Sequence, residues 1–327
     1  MVPQTLFAQA APELSMRDFA SGQVKKGVRS IGFGGDGATW GNYAMVWKDA
    51  GAALVDYADT SFTNGNDFHF SAIGVTSPSL RHGLAVYLIA LEEGTNDVHF
   101  RTKSAGLGPG AVPVVGTGSD RALFSKIALP LGQGFSVGGL LSYETSKFDA
   151  AADSNPANSI HYATEWRPSG GFGVTWQPVP RVLVGARVLL NADAERRTDS
   201  AGTREGIASS REYRLGGSVS PWAGALIDVG ATRLEKRNAI SATHSVDWEP
   251  NLGFEQWFIQ RRLALRFGKD EASLTAGLTW KVVPPFDFGI AYVNNMARNR
   301  VGEVFGKNSN SLLATVTLDY ESLIHKR

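Results

Sequence analysis

The side chains best suited to chemistry are charged residues set into stretches where apolar and polar residues alternate. Lys126, Glu144, Glu165, Arg187, Arg214, Asp228, Arg262, Arg266, Lys281 and Asp287 all fall on the polar side of such alternation. Two chemistries suit that arrangement. Guanidinium forks on one face can grip an acidic headgroup through bidentate hydrogen bonds, or they can pair with carboxylates on neighbouring strands and brace the structure. Arg187, Arg214, Arg262, Arg266, Glu144 and Asp228 are the residues expected to line such a passage and face a substrate.

Other chemistries lack their residues. Cysteine is absent, which removes thiol catalysis and thiolate metal sites. His69, His82, His99, His161, His244 and His325 form neither H-E-x-x-H nor a close pair at ligand spacing, so no metal site is expected. Gly116-Thr117-Gly118-Ser119-Asp120 is not the G-x-S-x-G elbow of a serine nucleophile, and no catalytic residue is expected. Gly32 to Gly37 spells G-x-G-x-x-G, but a dinucleotide site needs a strand before it and a helix after it. No strand–helix alternation follows, so no cofactor is expected.

The elements that must position the charges follow from the period. Along 181–191, Val182, Val184, Ala186, Val188 and Leu190 share one face, and Leu183, Gly185, Arg187, Leu189 and Asn191 the other. The same period of two runs through 135–144, 213–219, 273–282 and 312–320. Such alternation specifies half-buried strands. The longest apolar run, Gly83 to Leu91, is about half the ~18 residues a membrane helix needs, whereas a barrel strand crosses with ~9–11. The apolar face extends along whole strands while the opposite face is Ser, Thr, Gly, Asp and Arg. A soluble barrel would place its apolar set inside; here the apolar set faces outward.

Strands are read near 44–59, 67–76, 82–92, 121–130, 133–147, 158–177, 181–195, 207–220, 222–236, 239–249, 252–267, 271–283, 285–297 and 309–322. Tight turns are marked at Ser77-Pro78, Pro130-Leu131-Gly132, Pro178-Val179-Pro180, Ser220-Pro221, Glu249-Pro250-Asn251 and Pro284-Pro285, with longer polar connections about 93–120, 148–157, 196–206 and 298–308. Short turns on one side and long loops on the other is the asymmetry of an outer-membrane barrel. The expected fold is all-β: a transmembrane antiparallel β-barrel of about fourteen strands. Trp166, Trp176, Trp222, Trp248, Trp257, Trp280, Tyr292 and Tyr320 near strand ends read as interfacial girdles.

Arg261 is out of place, since parity puts it with the outward Trp257, Ile259, Leu263 and Leu265. A bulge that shifts register, snorkelling toward an interface, and contact with a partner compete to explain it. The balance of 32 Lys+Arg against 31 Asp+Glu gives no basic excess for phosphate neutralisation, so no nucleic-acid partner is expected. Ala8-Gln9-Ala10 reads as the tail of an export signal, truncated or removed, which fits an outer-membrane destination.

Two segments carry a family resemblance. Arg29-Ser30-Ile31-Gly32-Phe33-Gly34-Gly35-Asp36-Gly37-Ala38, followed by Ala53-Leu54-Val55-Asp56, is one. The other runs from Gly171 to Ala186 through Trp176-Gln177-Pro178. Both resemble the FadL-type outer-membrane transporters of hydrophobic compounds, as does the stretch from Phe70 to Leu91. The resemblance implies a fourteen-stranded barrel with an N-terminal plug, and passive uptake of a fatty-acid-like or aromatic molecule that leaves sideways through the wall. Residues 1–42 would form the plug and periplasmic start, 43–322 the barrel, and 323–327 a tail. Phe33, Gly34, Gly35, Asp36 and Trp40 would be the plug residues that matter. The partners implied are outer-membrane lipid and a hydrophobic small molecule. The family's Asn-Pro-Ala is absent, with Lys48-Asp49-Ala50 nearby, and a polar tail follows Tyr320. These departures favour an alternative, a non-transporting barrel that serves as scaffold for partner envelope proteins of a secretion or envelope complex.

Overall fold

A computed structural model describes Ala44 and, within 52–319, everything except 63–66, 77–84, 103–111, 153–154, 165–166, 200–201, 239–242, 271–272, 284 and 297–307. The plug candidates Phe33, Gly34, Gly35, Asp36 and Trp40, together with Glu165, Trp166, Tyr320 and the tail, lie outside the described residues.

The described residues form fifteen strands in one antiparallel sheet. They are β1 (Ala52–Phe62), β2 (Asp67–Thr76), β3 (Ala85–Thr102), β4 (Val112–Gly132), β5 (Phe135–Ala152), β6 (Asn155–Thr164), β7 (Arg167–Val179) and β8 (Val182–Asp199). The second half holds β9 (Gly202–Val219), β10 (Ala225–Asn238), β11 (Thr243–Phe258), β12 (Leu263–Asp270), β13 (Ser273–Val283), β14 (Phe286–Met296) and β15 (Asn308–Asp319). Apart from β6 and β7, neighbours in sequence pair with each other, and β1 also pairs with β15. β6 and β7 stand end to end: β5 pairs with β6 through its second half and with β7 through its first, and β8 likewise meets both.

The strands are longer than the alternation alone implied. β4 has 21 residues, and β3, β5, β8 and β9 have 18 each. At ~3.4 Å per residue an 18-residue strand is about 60 Å long, and at ~40° of tilt it stands roughly 45 Å high, well beyond a ~25 Å apolar band. The stretches expected as polar loops at 148–157 and 196–206 are therefore corrected: they are mostly ladder. Lys147 to Ala151 pair with 159–163, and β8–β9 pairing continues to Thr198↔Thr203 and Asp199↔Gly202. Polarity does not end a strand whose backbone is paired, and cross-strand contacts such as Arg196–Glu205 at 2.8 Å hold these projecting ends.

A second correction concerns Glu249-Pro250-Asn251, which is strand. Pro250, in β11, pairs with Ala231 of β10. The β11–β12 ladder stops at Leu252↔Lys269, so beyond it β11 is locally an edge, where the missing N–H of proline is tolerated. The turn lies instead at Ile259–Arg262, where Ile259, Gln260 and Arg261 all have positive φ (49°, 53° and 65°). Arg261 is thus a turn residue, and neither a bulge nor an outward strand position is needed to explain it.

Burial follows the pleat. Leu183, Gly185 and Arg187 are buried while Val184 and Leu190 are exposed. Across the sheet the buried, inner face mixes Arg, Asp, Glu, Asn, Ser and Thr with Ala, Leu and Phe, and the large exposed hydrophobics lie on the outer face.

Candidate functional site

The inner face of β8–β14 gathers the charges. Arg187 and Arg214 lie directly opposite each other in the β8–β9 ladder, a like-charge juxtaposition that is unfavourable alone. Glu212 resolves it. One carboxylate oxygen, Oε1, accepts from Arg187 Nη2 at 3.1 Å and from Arg214 Nε at 2.6 Å. Both guanidinium side chains are buried. Glycines make the room: Gly173 flanks Arg187 on β7, and Gly185, Gly216 and Gly230 form an adjacent row across β8, β9 and β10. A Cβ on Gly230 would stand 2.9 Å from Asn251 Oδ1, so this position has no space for a side chain. Asn251 in turn donates to Thr232 Oγ1 at 3.4 Å, and Asp228 is buried on the same face.

A second group sits nearer the tight-turn end. Arg266, 1% exposed, donates from Nε to Glu255 Oε2 at 2.6 Å and from Nη1 to Thr279 Oγ1 at 2.6 Å. The other oxygen of Glu255 accepts from Trp257 Nε1 at 3.0 Å. The Trp257 ring lies 5.7 Å from both the Arg266 guanidinium and the Lys281 ammonium, within cation–π range. Lys281 also pairs with Asp287 at 3.3 Å. A cavity of about 690 Å³ opens here, with Trp222, Trp257, Arg181, Arg261, Lys281 and Glu255 among its lining residues. Two indole faces and several cations around one opening can hold an apolar body and pair with an anionic group.

Of the six residues expected to face a passage, Arg187, Arg214, Asp228 and Arg266 are buried on the inner face. Glu144 is half-buried on the face of the buried Ser142 and stands opposite Arg167 in the β5–β7 ladder, apart from both groups. Arg262 is corrected. It is exposed in the β11–β12 turn, where its N–H donates to Phe258 and Ile259 carbonyls and its own carbonyl accepts from Lys281 N–H. Trp257 is corrected as well, from the outer girdle to the inner face. The four-residue turn at 259–262 switches parity, so reading 252–267 as one strand carries the outward set of β12 onto the wrong face of β11. The same slip hid Glu255. Glu212 was legible, being two residues from Arg214 and hence on its face.

The outer face is apolar. Leu215 is 64% exposed, and Phe172, Val229, Leu252, Phe267 and Ile290 are also open. Aromatics collect at the tight-turn end: Phe135 stacks on Trp176 at 5.5 Å, with Trp222, Phe258, Trp280 and Phe286 nearby in sequence to the turns and exposed.

No protein-family model matches the sequence, and no curated protein does. Solved structures do match its fold. A FadL homologue from Pseudomonas aeruginosa superposes with a TM-score of 0.56 over 90% of this chain and 96% of that one, at 12% identity. The fold is of the FadL type. The toluene transporter TodX of Pseudomonas putida gives 0.56 over 90% of this chain and 96% of its own, at 9% identity, and the CymD monoaromatic hydrocarbon channel 0.56 over 89% and 96%, at 12%. Neither the matched lengths nor the antiparallel sheet would fit a helical or α/β fold.

Proposed function

We propose that the chain is an outer-membrane β-barrel that passes small hydrophobic molecules, fatty-acid-like or aromatic, by diffusion. The observation that carries this reading is the inverted sheet: Arg, Glu, Asp, Ser and Thr enclosed on one face, Leu, Val, Phe and Trp open on the other. Water solvates no such exterior well, whereas lipid does, and backbone polarity in lipid must be met by ladders on both flanks of every strand. Following the ladders from β1 through β5, β7 and β8 to β15 and back to β1 supports a closed wall of fourteen positions, with β6 and β7 sharing one. The names of the structural neighbours, hydrocarbon channels and a toluene transporter, support a hydrophobic cargo. In this reading residues 1–42 plug the interior, Phe33, Gly34, Gly35, Asp36 and Trp40 carry its movement, and 43–322 form the wall. The cavity with Trp222 and Trp257 is the mouth on the tight-turn side. No catalytic step is assigned.

Uptake of toluene and of a long-chain fatty acid into vesicles containing the full chain tests the reading. Flux that rises when residues 1–42 are deleted supports it; flux equal to empty vesicles from both forms rejects it. The scaffold reading keeps one observation in its favour. The β8–β9 ladder runs to Asp199↔Gly202, which leaves two residues of sequence between the strands, too few for a capturing loop at this hairpin. Stoichiometric co-purification of envelope proteins, together with absent flux, would select it.

A further inference from the structure

We infer that the outer face of β8–β11 carries a binding site for a phosphorylated glycolipid, at the polar boundary of the apolar band away from the tight turns. The inference rests on the membrane reading above but not on transport. Cross-strand register arranges the outer face in rows. Val184, Gly217, Val229 and Leu252 make an apolar row, and Ala186, Leu215, Ala231 and Pro250 the next. The row after that is Val188, Tyr213, Arg233 and Trp248; then Leu190, Arg211, Glu235 and Val246; then Ala192, Ser209, Arg237 and His244. Three arginines thus stand together on this face against one carboxylate, Glu235, with which Arg233 pairs.

Depth and geometry both fit a phosphate. Ala225 to Arg233 spans eight steps of ~3.4 Å, about 27 Å along the strand and roughly 21 Å in height at ~40° of tilt, close to the ~25 Å apolar band. Arg233 therefore lies where acyl chains give way to headgroups. Its guanidinium is flanked by the rings of Tyr213 at 5.7 Å and Trp248 at 6.0 Å, which hold the planar group against the wall. A guanidinium fixed in this way loses less freedom when it forks onto a phosphate, and the exposed Arg211 and Arg237 sit one and two rows further out. Acyl chains of the same molecule would lie along Leu215, Val229 and Leu252. The opposite boundary of the band has the exposed aromatics Trp176 and Trp280, and its exposed arginines, Arg181, Arg261 and Arg262, sit in or beside the tight turns rather than on a strand face flanked by rings.

A sugar headgroup is favoured over a small glycerol one because the polar wall continues. Above the arginines β8 and β9 run on through Ser209, the Arg196–Glu205 pair and the Thr198–Thr203 contact. From Leu190 to Thr198 this face, on which Ala192, Ala194 and the exposed Ile207 alternate with the polar groups, runs about eight residues, roughly 27 Å along the strand, deeper than a simple phospholipid headgroup.

Native mass spectrometry of the purified full chain, titrated with diphosphorylated lipid A, its dephosphorylated form and phosphatidylglycerol, tests the site. The expected result is retention of the diphosphorylated glycolipid, with the dephosphorylated form and phosphatidylglycerol held weakly. Arg211→Gln with Arg233→Gln lowers apparent affinity about tenfold or more, as loss of two charge-assisted contacts requires. Trp248→Leu, which keeps the charges and removes one ring of the platform, produces a smaller loss. Heat-modifiable gel mobility monitors that each variant is folded. Equal retention of the phosphorylated and dephosphorylated forms overturns the site without reference to any variant, and unchanged affinity in the folded double variant overturns it as well. Equal binding of phosphatidylglycerol overturns the assignment to a glycolipid. A chain that passes no toluene yet retains the glycolipid would reject transport and leave this site standing.

Discussion

Within the β9–β10 hairpin, two faces of the same strands obey opposite rules. Leu215 and Val229 face outward, 64% and 52% exposed, while Arg214, Asp228 and Thr232 on the other face are enclosed. A sheet in water shows the same alternation with the burial exchanged. Each face also treats its polar groups differently. Enclosed Arg214 is bonded to Glu212, and enclosed Arg266 to Glu255 and Thr279, because an uncompensated charge there would be costly. The outer apolar face offers no such partners, and in the proposed reading lipid chains would supply its packing. Periodicity identifies a strand; the side that is enclosed identifies the solvent.

The comparison breaks most visibly at Arg266. Replacing it with Met leaves Glu255 enclosed with its charge half-compensated, and unfolding free energy in urea from lipid vesicles should drop by about 3–5 kcal/mol. The pair of changes Arg266→Met and Glu255→Met should recover most of that loss. A double variant as unstable as the single one would mean that Glu255 is already satisfied by water, and the interior would be wet where it is taken as closed. On the outer face the test is depth. Val229→Arg, near the middle of the apolar band, should cost ~2–4 kcal/mol, and Val246→Arg, beside Arg211 and Glu235, ~0–1 kcal/mol. Equal costs at the two positions would show that no lipid gradient lies across this face.

Much of this was legible in the sequence because alternation is a local signal. Val184 and Leu190 against Leu183 and Arg187 is readable from 181–191 alone, and so is the antiparallel all-β class. Two features were not local. The ends of β5, β8 and β9 carry only a thin apolar alternation (Phe148 and Ala150, Ala192 and Ala194, Ile207) among charged and hydroxyl residues, so composition separates ladder from loop poorly there. The β11–β12 turn has no Gly or Pro, and its three positive-φ residues are Ile259, Gln260 and Arg261, which turn statistics disfavour. Pro250 meanwhile advertised a turn that the end of the β12 ladder makes unnecessary. The misplaced turn reversed the parity of Trp257 and Glu255, and with it half of the Arg266 group.

A third test sets the tight turns against the strands they join. Gly134 has φ +79°, and a Cβ there would meet the Gln177 carbonyl oxygen at 2.3 Å, while Gly132 at φ +91° has nothing within 4 Å. Gly134→Ala should cost more than Gly132→Ala, with ~1–3 kcal/mol for the left-handed backbone common to both. Equal losses by urea unfolding would show that the 134–177 approach relaxes freely and that the turn end is softer than the wall.

The smallest effect belongs to the projecting ladder, and it sharpens the comparison through its weakness. Arg196 and Glu205 pair at 2.8 Å, with side chains 60% and 63% exposed. The same pair of residue types holds Arg187 to Glu212 behind the wall, at the slightly longer 3.1 Å. Distance alone would rank the exposed pair as stronger. Environment reverses the order, because water and salt screen an open pair and its long side chains lose freedom to hold one geometry. Arg196→Ala should therefore change unfolding free energy by no more than ~1 kcal/mol, and by less as salt is raised. Arg187→Ala, which removes one of the two guanidinium groups on Glu212, should cost more and respond little to salt. A large, salt-insensitive loss at Arg196 would place the ends of β8 and β9 in contact with another molecule, and the open ladder would then have to be read as an interface.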